Sequence, residues 1–333
     1  MDKLTEIAMI DTIHIRLNLN DFTKRDYYFE TLKVRAGLIK TSINLITHEN
    51  SYRGNFKNFQ VFVKGYYVTI AGSLAKYHLN NNVDILTKEG ISQALKQITK
   101  DLGIPLQRGT LSRIDIAVCL QVLSAPEDYM KLLTGIKNGY AKNDRGSLYF
   151  HRKFHTAIWY DKLNELEEKD HLSYLTYKEK GNLLRYELRF EKKLKQILNR
   201  KDVKVYMLHS TSFLSKLAKE WIKNYDMTSK RTFEITSIIS SFKVMREFVL
   251  YKGVMAMLDG GSVYDLSRLI GTFKKNGWSA ADVSRCKRRF EELYNNDDFS
   301  EKSTLIKELD ELIYGSEIVQ QFVQQESLLN QAS

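Results

Sequence analysis

Two short stretches constrain this chain more than any other feature: Arg113-Ile114-Asp115-Ile116-Ala117-Val118-Cys119-Leu120 and Leu184-Arg185-Tyr186-Glu187-Leu188-Arg189-Phe190-Glu191. Both alternate strictly. Successive side chains of a strand point to opposite faces. The first stretch therefore sets Arg113, Asp115, Ala117 and Cys119 against Ile114, Ile116, Val118 and Leu120. The second sets Arg185, Glu187, Arg189 and Glu191 against Leu184, Tyr186, Leu188 and Phe190. Residues 12–19 repeat the pattern, with Thr12, His14, Arg16 and Asn18 on the polar side. Such strands suit an antiparallel sheet with helices on the apolar face and the charged face open. An open face is ordinarily just solvated, so charge on one strand carries no message. Three strands repeating arginine, carboxylate and histidine point to a site.

Period-two apolarity predicts further strands at 41–47, 56–63, 66–71, 147–150 and 157–160. Gly65 marks a turn that makes a hairpin of its neighbours. Helical spacing covers 21–38, Lys88–Leu102 and 126–136. From about Lys201 the pattern becomes helical, at 211–225, 232–258, 263–275, 280–294 and 303–314. The expected fold is α+β: a sheet domain over 1–205 and a smaller helical domain over 206–333. No internal repeat shows in the sequence.

Lys and Arg number 51 against 40 Asp and Glu, a net charge of +11 across 333 residues. That excess favours a polyanionic partner. No apolar run approaches the roughly 20 residues that a membrane span needs, and no membrane partner is expected. The start, Met1-Asp2-Lys3-Leu4-Thr5-Glu6, lacks the pattern of a signal peptide. Cys119 and Cys286 are too few for a disulfide framework, so a reducing cytoplasm is the expected setting.

Trp159-Tyr160-Asp161-Lys162 closes one predicted strand. Tyrosine is a poor nucleophile at its free pKa of about 10 and needs a base, a metal or a neighbouring cation. Lys162, on the same face under strand alternation, is the expected cation. Asp115 and Glu187 offer hard oxygen ligands for Mg²⁺ or Mn²⁺, which would polarise a phosphate. Arg113, Arg185, Arg189, Lys192 and Lys193 add phosphate contacts near them. A nucleophile, carboxylates and arginines on a basic protein suit cleavage of a phosphodiester with covalent attachment to DNA. The other reading is a DNA- or RNA-binding regulator without catalysis.

These segments resemble the rolling-circle replication initiators of the filamentous-phage gene II/gene X type and their plasmid relatives. The likeness runs in order through Met9-Ile10-Asp11-Thr12-Ile13-His14-Ile15-Arg16-Leu17, Ala71-Gly72-Ser73-Leu74-Ala75-Lys76, Ser112-Arg113-Ile114-Asp115, Ala157-Ile158-Trp159-Tyr160-Asp161-Lys162 with Glu165, and Leu184-Arg185-Tyr186-Glu187-Leu188-Arg189. The resemblance implies a Rep/relaxase-like nuclease domain that nicks one strand at an origin. It implies a 5′ phosphate held on Tyr160, a free 3′-OH, and a host partner such as a helicase. The related superfamily binds metal through a His-hydrophobic-His strand, which this chain lacks. The third metal ligand is therefore open, with His14 first and Asp161 behind it. His151 and His155 are spaced i, i+4 but fall in a hairpin, where phosphate contact or exposure is expected.

In 280–294, Val283, Cys286, Phe290 and Leu293 form an apolar stripe, with Arg285, Arg288 and Arg289 opposite. With 263–275 and the turn at Asn276-Gly277 before it, this gives a helix-turn-helix outline for duplex DNA.

Overall fold

A computed structural model describes residues 9–43, 45–46, 48–191, 194–230, 277–285, 288 and 304–315. The strands are β1 (Ile10–Asn18), β2 (Ile39–Ile43), β3 (Asn50–Phe56), β4 (Phe59–Lys64), β5 (Tyr67–Ser73), β6 (Thr110–Val122), β7 (Leu133–Ile136), β8 (Gly139–Asp144), β9 (Ser147–Arg152), β10 (His155–Asp161), β11 (Asn182–Phe190) and β12 (Thr228–Lys230). The helices are α1 (Arg25–Arg35), α2 (Leu74–Leu79), α3 (Lys88–Leu102), α4 (Pro126–Leu132), α5 (Lys162–Lys169), α6 (His171–Tyr177), α7 (Leu194–Ile197), α8 (Thr211–Asp226) and α9 (Thr304–Tyr314). The architecture is α+β, as the alternating patterns predict.

Ten strands form one antiparallel sheet in the order β2-β3-β4-β5-β1-β6-β11-β10-β9-β8. That order divides at its centre into two five-stranded halves of like topology. In each half a meander of four strands ends beside the strand that opened the half: β5 beside β1, and β11 beside β6. The opening strands β1 and β6 then pair with each other, His14 opposite Arg113. The sequence showed no repeat, because topology can be duplicated without residue identity.

The apolar face is covered by helices. α3 buries Ile91, Ala94, Leu95, Ile98 and Leu102, and α8 buries Phe213, Leu214, Leu217, Trp221 and Tyr225 in the same core as the strands. Trp159 stacks on Tyr186 with ring centroids 4.0 Å apart, so that face of β10 and β11 is aromatic. α9 joins this core through Ile306, Leu309 and Ile313, and its Glu308 accepts from the Tyr129 hydroxyl at 2.5 Å. α8 and α9, both beyond residue 206, thus pack into the core of the sheet itself. The expected helices at 232–258 and 263–275 lie outside the described residues, as does most of 280–294, of which 280–285 and 288 are described and helical.

Other expectations change. The predicted strand at 56–63 is broken by a turn at Lys57-Asn58, with Lys57 at φ +50°, that separates β3 from β4. The predicted helix at 126–136 stops at Leu132, and β7 follows. Gly65, at φ +56°, makes the expected turn between β4 and β5. The polar face was expected to be open, but at its centre it is covered. Asp115, Arg185 and Glu187 keep only 1%, 2% and 5% of their exposure. Val83, Leu166, Tyr177 and Leu183 form a small apolar cluster on that side, which seats α5 and α6 over one end of it.

Candidate functional site

Antiparallel register sets the polar face out in rows. Tyr160 on β10 lies opposite Arg185 on β11, which lies opposite Cys119 on β6. The next row is Tyr149, Ile158, Glu187 and Ala117, and the next His151, Thr156, Arg189 and Asp115. Tyr160, Glu187 and Asp115 therefore descend the sheet diagonally, each a diagonal neighbour of the one before. Such neighbours are roughly 7–8 Å apart at Cα, within reach of long side chains. All three line a cleft of about 530 Å³, together with Asp11, Arg113 and Arg189. Arg145 stands at its rim in the two-residue turn between β8 and β9. There Arg145 and Gly146 both have positive φ, the geometry that matches strand twist in a tight hairpin.

The carboxylates are gripped by arginines two residues away on their own strands. Arg113 donates to both Asp115 oxygens at 2.7 and 2.6 Å, and Arg189 Nε donates to Glu187 at 2.6 Å. Burial pushes the Asp115 carboxyl up to about 7, and Glu187 adds to that push against the pull of Arg113 and Arg189. Acidic residues outnumber basic ones around the cleft by eight to four, on a protein of net charge +11. Arg185 and Lys162, buried behind the lining and paired with Asp11 and Glu165, reduce that excess.

Arg185 is a buried cation, 2% exposed. Its guanidinium donates to Asp11 Oδ2 at 2.6 Å, to the Asn82 carbonyl, and to Cys119 Sγ at 3.3 Å. Its Nε is buried without a hydrogen-bond partner, 3.9 Å from Glu187. Asp11 also accepts from Ser73 Oγ at 2.5 Å, and that hydroxyl caps α2 by accepting from the Lys76 N–H at 3.0 Å. Burial pushes the Tyr160 phenol well above its ordinary value, and Arg185 is the first influence drawing it down.

Lys162 differs from expectation. It is the first residue of α5, fully buried, and its ammonium donates to Glu165 at 2.5 Å and Asn82 Oδ1 at 2.9 Å. Burial holds its pKa below the ordinary lysine value, with Arg185 adding to the effect. It does not line the cleft, because the chain turns from strand to helix at Asp161 and strand alternation ends there. The cation directly across from Tyr160 is Arg185, which was expected to contact DNA and is instead buried.

The three-residue metal set is not assembled. Among the described residues no group of three or more His, Cys, Asp or Glu side chains converges as a metal site. His14 shares the polar face but pairs with Arg113 rather than lining the cleft, and burial with Arg113 and Arg16 lowers it to about 4. Asp161 caps α5, accepting from the Leu163 and Asn164 N–H groups at 2.8 and 3.1 Å. Of the expected ligands, Asp115 and Glu187 do share the cleft, and Mg²⁺ is commonly held by one or two carboxylates with waters and phosphate oxygens. The donor set of Asp115 and Glu187 fits that mode.

His151 stacks with Tyr149 on the polar face, whereas His155 meets Phe190 edge-on across the sheet, so the two do not form one site. Tyr186, a conceivable alternative nucleophile, is buried on the apolar face and donates to the Trp221 carbonyl at 3.1 Å. Tyr149 lines the cleft and is the one described alternative among these. Arg285 and Arg288 are exposed, and Arg285 donates to Asp282 at 2.6 Å; Lys192, Lys193 and Arg289 lie outside the described residues.

Asp11 is the main residue that alternation missed. Ile10 pairs with Ile116 but Ile13 with Ile114, so β1 carries one extra residue, and this bulge turns Asp11 to the polar face. The adjacent polar pair Asp11-Thr12 between two isoleucines is its sequence signal. Compared with protein-family models, with curated proteins and with solved structures, the chain matches none.

Proposed function

We propose that this protein initiates rolling-circle DNA replication by nicking one strand with Tyr160 and holding the new 5′ phosphate on the tyrosine oxygen. The observation that carries the reading is the diagonal of Tyr160, Glu187 and Asp115 in one cleft beside Arg185. In that reaction the Tyr160 oxygen forms a bond to phosphorus and the bond from phosphorus to O3′ breaks. The phenolic proton passes to a base in the cleft, and the departing oxygen takes up a proton as the 3′-OH. Strand rejoining is the same exchange reversed.

Arg185 favours the phenolate that must form, since an opposite charge close by stabilises the ionised state. Arg113 and Arg189 balance the carboxylates in the resting cleft. Asp115 and Glu187 are the residues that would hold Mg²⁺ or Mn²⁺, which when bound neutralises phosphate charge and polarises the P–O bond. The exposed Arg285 and Arg288, with Arg289, are proposed to help hold duplex origin DNA.

The test is incubation with Mg²⁺ and a supercoiled plasmid carrying the DNA around the protein's own coding sequence. Conversion to nicked circles with protein on the 5′ end supports the reading. The raised phenol of Tyr160 and the arginine-gripped carboxylates favour a second reading, a non-catalytic nucleic-acid-binding regulator. Tight binding to that plasmid without any nick selects it.

A further inference from the structure

The polar face of the sheet does not end at the cleft. β1 leads from Asp11 and Thr12 toward Arg16 and Asn18, which stand on the same face. Thr12 and Arg16 lie roughly 13 Å apart along the strand. Beside Arg16 and Asn18, register places Thr69 and Tyr67 of β5, then Phe62 and Lys64 of β4. These residues floor a groove of about 990 Å³, walled by Phe22, Arg108, Lys204 and Tyr206.

Its chemistry is opposite to that of the cleft. Arg16, Lys64, Arg108 and Lys204 line it, against Asp21 as the one acid. Aromatic faces alternate with these cations: Tyr67 is 61% and Tyr206 55% exposed. Arg53 lies 5.5 Å from the Phe62 ring and Arg108 5.7 Å from Phe22. Large exposed aromatics next to cations are the elements of a single-strand binding surface, where bases stack on rings and cations follow the phosphates. A duplex keeps its bases stacked inside and gains little from such rings.

The two halves of the sheet share a topology, and the second carries the tyrosine and carboxylates. The lining of the cleft carries more acids than bases, so the basic, aromatic groove is the better place to hold a phosphate chain. We infer that the groove formed by β1, β4 and β5 binds single-stranded nucleic acid, stacking bases on Tyr67 and Tyr206 and holding phosphates with Arg16, Lys64 and Arg108. The inference rests on the nickase reading only for the purpose of the binding, which is measured without cleavage.

The experiment is fluorescence anisotropy with a labelled oligothymidylate, the matching oligouridylate and a duplex, in chelator so that no strand is cut. Tyr67→Ala and Tyr206→Ala remove exposed rings and leave the melting temperature unchanged. Each is expected to weaken single-strand binding at least about fivefold. Arg16→Ala and Arg108→Ala each flatten the salt dependence, by about 0.7 in the log–log slope. Loss on both oligothymidylate and oligouridylate supports a surface that reads the shared base and phosphate chemistry, and loss on DNA alone narrows the groove to DNA. Unchanged affinity in both tyrosine variants overturns the inference. So does equal loss on the duplex, or a wild type that binds neither single strand. A chain that binds through this groove but never nicks its plasmid defeats the nickase reading and leaves the groove standing.

Discussion

Tyr160 and Arg185 face each other across β10 and β11, with the phenol on one strand directly opposite a guanidinium that is 2% exposed on the other. Burial of the pair works against the phenolate, and the charge of Arg185 works for it. The pairing gives an ionised Tyr160 a fixed counter-charge.

Replacing Tyr160 with phenylalanine removes only the hydroxyl. The expected result is a folded protein that binds oligonucleotides normally and forms no covalent adduct with DNA, read on a denaturing gel. An adduct that persists in Tyr160→Phe and disappears in Tyr149→Phe would transfer the nucleophile to Tyr149.

Chelation of divalent ions is expected to stop nicking while sparing oligonucleotide binding. Asp115→Asn should lower the nicking rate by tenfold or more, while changing oligonucleotide affinity less than about twofold. Nicking that proceeds unaltered in EDTA would remove the carboxylates from any metal role.

Asp11 anchors Arg185 from a bulge, and removal of one member of a buried ion pair leaves the other charge unmatched. Asp11→Ala should therefore cost about 3–5 kcal/mol of stability in denaturant unfolding. A loss below about 1 kcal/mol would mean that Asn82 and Cys119 suffice to hold the guanidinium.

His155 is held down to about 4, first by burial and then by Arg152 and Lys223. Its unfolded value is the ordinary 6.5, so the unfolded chain binds the proton more readily across the interval between. The His155 contribution to stability is present above about 6.5 and is lost as pH falls toward 4. His155→Phe should flatten the fall in melting temperature between pH 6.5 and 4.5. An unchanged pH profile would assign that acid sensitivity to other groups, His14 among them.

Much of the site could be read from the chain because alternation is a local property. Two side chains per strand period fix which residues share a face, whatever the strand pairs with. That alone put Asp115 with Arg113, Glu187 with Arg185 and Arg189, and Tyr186 on the opposite, apolar side. It failed where the backbone departs from period two. The bulge in β1 turned Asp11 to the polar face, and the strand-to-helix change at Asp161 took Lys162 out of the cleft.

The chain by itself determined the amphipathic strands, the basic character and the tyrosine at the end of β10. Tertiary structure alone decided which rows meet. The partner of Arg185 is 174 residues away in Asp11, and the Asn82 loop that accepts from both Arg185 and Lys162 belongs to neither strand. It also decided that two halves of like topology join at β1 and β6, and that α5 and α6 cover one end of the polar face. The reason is physical. A strand's own residues set its two faces, but register and coverage depend on pairings across the whole sheet, whose energies no single segment contains.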